Sequence, residues 1–155
     1  LAERLWLSAS HEGARAIGWD ILCLGRQASG EDFKTGSFRQ RLRLQRPDGT
    51  PLWQEAMHLQ GADSAMCSPV GLNDNRVFGT LWLAGIPPDA ALTESLRTLA
   101  ISSGIYGLSS LPQVTIIRAM SDSAEAIRQY FEAIWAMGRL HVLQREAVTP
   151  RIWKT

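Results

Sequence analysis

The chain has 155 residues, 45% hydrophobic and 20% charged, with 16 basic residues against 15 acidic. A chain of this size can hide roughly 68–70% of its unfolded surface, so a real core is possible, and the composition excludes disorder, a collagen-like repeat or a disulfide-dense miniprotein. The best apolar run, Leu81–Ile86, falls far short of the roughly 18–20 residues of a membrane helix. No basic-plus-apolar leader opens the chain. Its first residue is Leu1, which implies a processed start or residues that precede it. Fourteen of the basic residues are Arg, a bias shared by polar protein interfaces and GC-rich genomes. No basic patch marks a nucleic-acid surface, since Arg39, Arg41, Arg43 and Arg46 read as the wet face of a strand. Cys23 and Cys67 are too few for a disulfide framework and form no CxxC pair. A reducing cytoplasm is the expected setting.

In chain order, the first readable element runs from Ala14 to Leu24, rich in apolar and aromatic residues and stopped by Gly25. It predicts a buried strand, followed by a loop over 25–31. Residues 38–45 alternate, with Leu42 and Leu44 on one side and Arg39, Arg41 and Arg43 on the other. Pro47-Asp48-Gly49-Thr50 supplies turn chemistry, and 51–59 returns as the partner strand. A polar connection covers 61–75, and 76–84 is again strand-like. Pro87-Pro88-Asp89 predicts a helix start, with Asp89 as cap and Leu92, Leu96 and Leu99 on one face. That helix is expected over about 89–103, ended by Gly104 and Gly107. Residues 113–120 form a short β-branched strand. Asp122 and Glu125 are spaced like a capping box, opening a helix to about 141 whose stripe is Ile127, Tyr130, Phe131, Ile134 and Gly138. Trp153, so near the end of the chain, is expected to dock on the body or on a partner.

Catalytic motifs are lacking: there is no GxGxxG, phosphate-binding loop, GxSxG or HExxH. His11, His58 and His141 are scattered, and Cys67 beside Met66 offers a single thiol to a soft metal. Asp20, within Trp19-Asp20-Ile21-Leu22, and Glu55, beside Trp53, Met57 and Leu59, are carboxylates in apolar strands. Burying a carboxylate without a partner costs on the order of several kcal/mol, so each must pair, titrate or face water. An arginine partner and a polar channel or ion path both satisfy that demand, and spacing leaves both open. Carboxylates also suit a borderline cation such as Ni(II) as weak, exchangeable ligands. A hydrolase using Asp20 or Glu55 as general base would further need a nucleophile and an electrostatic stabiliser close by.

Four ordered motifs carry a resemblance. Trp19-Asp20-Ile21-Leu22-Cys23-Leu24-Gly25-Arg26 with Gly30-Glu31-Asp32-Phe33 resembles the central signature of the urease accessory protein UreD (UreH) family. Pro51–Leu59 resembles its second hairpin strand, Val77-Phe78-Gly79-Thr80-Leu81 its V-x-G-T-L strand, and Pro150-Arg151-Ile152-Trp153-Lys154-Thr155 its closing P-R-I-W-x-T. The resemblance covers essentially the whole chain, as a single domain over 1–155, and implies the C-terminal portion of a longer UreD-like chain. It implies a mainly β, β-helical scaffold with two helices towards the C-terminus, and no enzyme activity. It further implies a urease maturation factor that binds UreF, UreG through UreF, and apo-urease. No cofactor is tightly bound on this reading, and nickel is only in transit through an internal tunnel. Asp20 and Glu55 become the nickel-path residues; Arg26, Glu31, Arg151 and Trp153 become partner contacts or structural locks. The alternative is a non-catalytic protein-binding β domain of unrelated function. No nucleic acid or membrane partner is expected.

Overall fold

The computed structural model describes residues 2–9, 11–26, 29–61, 63–87 and 89–154. Pro88 of the expected helix entrance, Gln27 and Ala28 of the expected loop and Thr155 of the closing motif lie outside the described residues. Seven strands and two helices follow in order: β1 (Ala2–Ser8), β2 (Ala16–Cys23), β3 (Ser37–Gln45), β4 (Pro51–Gln60), β5 (Val77–Ala84), α1 (Ala90–Arg97), β6 (Ile105–Leu111), β7 (Val114–Ser121) and α2 (Ala124–Leu143). Short 3-10 turns occupy Ser64–Met66 and Arg151–Lys154. The chain is mainly β with two helices in its second half, as the sequence implied.

The strands form two sheets, β1-β3-β4 and β2-β5-β7-β6. Alternation builds the first: along β3, Phe38, Leu42 and Leu44 are buried while Arg39 and Arg41 are exposed. Every residue of β5 is buried, because the first sheet lies over one face of this central strand and α2 over the other. The helix side is filled by Leu81, Leu83, Ile117, Ile127, Phe131 and Ile134, each fully buried. Full burial of such side chains contributes about 1.5–3 kcal/mol each. Gly79 permits this approach, since a Cβ there would stand 2.8 Å from the Phe131 ring and 2.7 Å from the Asp20 carbonyl oxygen.

Between the sheets the apolar contacts split into two clusters. One gathers Leu42, Leu44, Trp53, Trp82, Val114 and Ile116; the other gathers Leu24, Phe38, Leu59, Met66, Leu72 and Phe78. Trp53 and Trp82 stack at 6.5 Å across the interface.

Four features differ from expectation. β1 pairs in parallel with β3, but it is exposed along nearly its whole length and so carries no clean alternation to read. α1 stops at Arg97 and is capped by Thr98; the stretch expected to continue it leads instead into β6, with Gly107 inside the strand. β6 is a sheet edge, where Ile-Tyr-Gly-Leu-Ser-Ser-Leu needs no regular burial pattern. Finally, Ser123 rather than Asp122 caps α2, accepting a hydrogen bond from the Ala126 amide at 3.2 Å. Glu125 turns instead to Arg128 and Gln129, which hold its carboxyl down at about 2. The Asp89 cap is as expected, accepting from the Leu92 amide at 3.0 Å.

Candidate functional site

The two inter-sheet clusters are separated by a band of polar side chains. Every strand but β6, whose Gly107 lies opposite Arg118, contributes one inward-facing polar residue. On β3, Gln40 lies between Phe38 and Leu42; on β5, Thr80 lies between Phe78 and Trp82. On β7, Arg118 lies between Ile116 and Met120; on β2, Asp20 lies between Gly18 and Leu22; on β4, Glu55 lies between Trp53 and Met57. Strand register lines them up: Asp20 pairs with Thr80, and Thr80 with Arg118. In the facing sheet Glu3 of β1 pairs with Gln40.

Glu55 pairs with Leu42, two residues along β3 from Gln40, and joins this row through Arg118 rather than through register. The Gln40 amide donates to Asp20 Oδ2 at 2.8 Å and to Glu3 Oε2 at 3.2 Å, holding two carboxylates at once. Asp20 Oδ1 is buried without a hydrogen-bond partner. Desolvation lifts the Asp20 carboxyl to about 6; repulsion from Glu3 and Glu55 adds to the rise, while the Gln40 bond opposes it. Glu55, on the same face as Trp53, Met57 and Leu59, accepts a hydrogen bond and ion pair from Arg118 Nη2. So the arginine partner exists for Glu55, and a glutamine serves Asp20. Beside the Glu55–Arg118 pair opens a cavity of about 330 Å³, bordered by Met57, Thr80, Ile105 and Gly107.

Chemically this band holds three carboxylates against one guanidinium; Glu3 and Arg118 reach solvent, whereas Asp20 and Glu55 are half-buried, where an uncompensated charge is costly. A cation of modest affinity would relieve that cost. Among the described residues no group of three His, Cys, Asp or Glu side chains stands close enough to hold a metal ion. Cys67 is exposed, and hydrogen bonding to Asp74 pushes its thiol up, away from the thiolate that a soft metal requires.

The remaining sequence candidates lie elsewhere. Arg26 and Glu31 form a two-pronged ion pair at 2.9 and 2.5 Å across an exposed loop, which raises the guanidinium and lowers the carboxyl. Arg151 is exposed in the final 3-10 turn. Trp153 docks onto the body, with its ring 5.2 Å from Trp19 and 5.0 Å from Trp135. Trp19 and Trp153 border a separate hollow of about 690 Å³ with Glu125, Arg128 and Glu132. The sequence reading missed Glu3, Gln40, Thr80 and Arg118. The available signal was the single polar residue breaking the apolar face of β3, β5 and β7.

Comparison with known proteins adds the family. The family model described as UreD urease accessory protein matches residues 8–154. The chain is 43% identical over 146 residues to urease accessory protein UreD 2 of Pseudomonas syringae pv. tomato, covering 94% of this chain and 51% of that protein. It is 43% identical over 144 residues to UreD of Nitrosococcus oceani (93% and 48%). For UreD of Dechloromonas aromatica the figure is 42% over 147 residues (92% and 50%). The chain spans about half the length of the curated relatives it matches. It belongs to the UreD urease accessory protein family.

Proposed function

We propose that this chain acts in urease maturation as a non-catalytic scaffold, and that the polar band between its sheets is part of the path by which nickel reaches apo-urease. On this reading it works in the cytoplasm with UreF, and through UreF with UreG, on apo-urease. Family membership supports the accessory role. The observation that carries the path is the polar band of Asp20, Gln40, Thr80, Glu55 and Arg118 between two apolar clusters. Carboxylate oxygens are weaker ligands for Ni(II) than imidazole or thiolate, so partly buried carboxylates attract it without retaining it. Asp20 would bind through its unpartnered oxygen; Glu55 would bind as Arg118 turns aside.

The test replaces Asp20 with Asn and Glu55 with Gln together in the full-length protein. Circular dichroism checks the fold, and the nickel content of urease matured with the variant is measured. The expected result is urease that is under-loaded with nickel although the accessory complex still assembles. Normal loading by a correctly folded double variant would overturn the path. The alternative of a β domain with unrelated function is set aside by the family match.

A further inference from the structure

The outer face of the β1-β3-β4 sheet carries a feature that the polar band does not use. Strand β3 presents Arg39, Arg41 and Arg43 outwards, and the parallel strand β1 adds Arg4 directly in register with Arg41. Trp6, 65% exposed, is in register with Arg43. On β4 the positions opposite are Gln54, Ala56 and His58, so this stretch of the face holds no acid. Arg4, Arg39 and Arg41 are exposed and make no ion pair or side-chain hydrogen bond with any described residue. Arg43 alone is engaged, donating to the Gly49 carbonyl at 2.9 Å and lying 5.1 Å above the Trp6 ring. Arg4, Trp6, Arg41, Arg43 and Gln54 line a shallow groove of about 440 Å³, which Glu55, already paired with Arg118 on the inner face, also borders.

Like charges directly opposite on neighbouring strands repel. An arginine pair kept in register without a counter-charge is a cost that an acidic ligand would remove. Strand geometry sets the ligand's shape: alternate residues of an extended segment repeat at roughly twice the ~3.3 Å rise, matching the spacing of Arg39, Arg41 and Arg43 along β3. The guanidinium fork suits paired carboxylate oxygens. We propose that this face docks an extended, carboxylate-rich segment of a protein partner, held by Arg4, Arg39 and Arg41. A nucleic acid fits less well. The chain as a whole carries a net charge of only +1, where nucleic-acid domains are broadly basic, and one face of the Trp6 ring is already taken by Arg43. The choice of a protein also rests on the accessory role proposed above.

The experiment uses the full-length protein and a labelled peptide of alternating Glu and Thr, followed by fluorescence anisotropy at low salt. The double variant Arg4→Gln with Arg41→Gln is compared with Arg97→Gln, whose arginine pairs with Glu94 on α1. The expected result is peptide binding by the parent, a loss of about tenfold or more in the double variant, and no change in Arg97→Gln. The double variant should also melt at an equal or higher temperature, since a repulsion has been removed. The proposal is overturned if the parent does not bind the peptide, if Arg97→Gln loses as much, or if an oligo-dT strand of equal length binds more tightly. Urease activation is read on the same proteins. Unchanged activation by the double variant overturns this face alone, whereas a parent protein that fails to support activation overturns the accessory role itself.

Discussion

Arg118 of β7 reaches across the gap between the sheets to Glu55 of β4, so the ion pair crosses the band where the apolar core is interrupted. Glu55 is the more enclosed partner, at 16% side-chain exposure against 49% for Arg118. Removing the arginine leaves a largely enclosed carboxylate unpaired; neutralising the acid does not. Arg118→Met should therefore cost about 1 kcal/mol after solvent screening, and Glu55→Gln less. A double-mutant cycle by urea unfolding should give a coupling of about 0.5–1 kcal/mol. Strictly additive effects would show that the pair contributes nothing to joining the sheets.

Asp20 carries the clearest dependence on pH. Its carboxyl ordinarily titrates near 3.8, and in the folded chain at about 6. Between those values the folded state holds a proton that the unfolded chain has released. Stability from this group therefore falls as pH rises from about 4 to about 6, and stays lower above that range. The full effect is at most about 3 kcal/mol. Asp20→Asn should be more stable than the parent at neutral pH by about 1–3 kcal/mol, with the gap closing towards about pH 4. Urea unfolding across this range checks it; a variant less stable at every pH would contradict the raised value.

Gly79 lies where β5 meets both β2 and α2. The side chain introduced by Gly79→Ala would have to displace the Phe131 ring and the Asp20 backbone oxygen. Overpacking of this kind costs typically about 1–3 kcal/mol, and backbone on one side leaves little room to relax. Thermal unfolding should show a loss near the upper end of that range, together with altered near-ultraviolet dichroism from the neighbouring aromatic rings.

Trp153 closes a three-ring cluster with Trp19 and Trp135, and Arg139 lies 5.1 Å above the Trp135 ring. Aromatic pairs of this geometry contribute about 0.5–1.5 kcal/mol each beyond the area they bury. Trp153→Ala should lower stability by about 1–3 kcal/mol and make the chain after α2 more susceptible to limited proteolysis. Unchanged cleavage would show that the tail is held by other contacts.

Much of the fold was legible because local chemistry dictated it. The β3–β4 hairpin follows from clean alternation around Pro47-Asp48-Gly49, and the stripe of α2 from apolar residues at helical spacing. β1 was hidden because its pairing with β3 is non-local and its side chains are mostly exposed. β6 was hidden because an edge strand needs no burial pattern. In the site, Asp20 and Glu55 stood out as charges among apolar neighbours. Gln40 and Thr80 are uncharged, and Arg118 is one of fourteen arginines with no local pattern to single it out. Register joins Asp20, Thr80 and Arg118 in one row, and the cross-sheet bonds of Gln40 and Glu55 bring the facing strands to it.

The parallel placement of β1 bears on the order in which the structure forms and opens. β3 and β4 are joined by a short turn and can pair early, whereas β1 reaches β3 only after the chain has passed through β2 in the other sheet. Contacts closing so large a loop form late and are among the first to open. Backbone amides of β1 should exchange with solvent fastest among the strands, and those of β5, buried on both faces, slowest. The first sheet would thus lose its outer strand, and with it Glu3 from the polar band, through a local opening that leaves Asp20 and Gln40 in place.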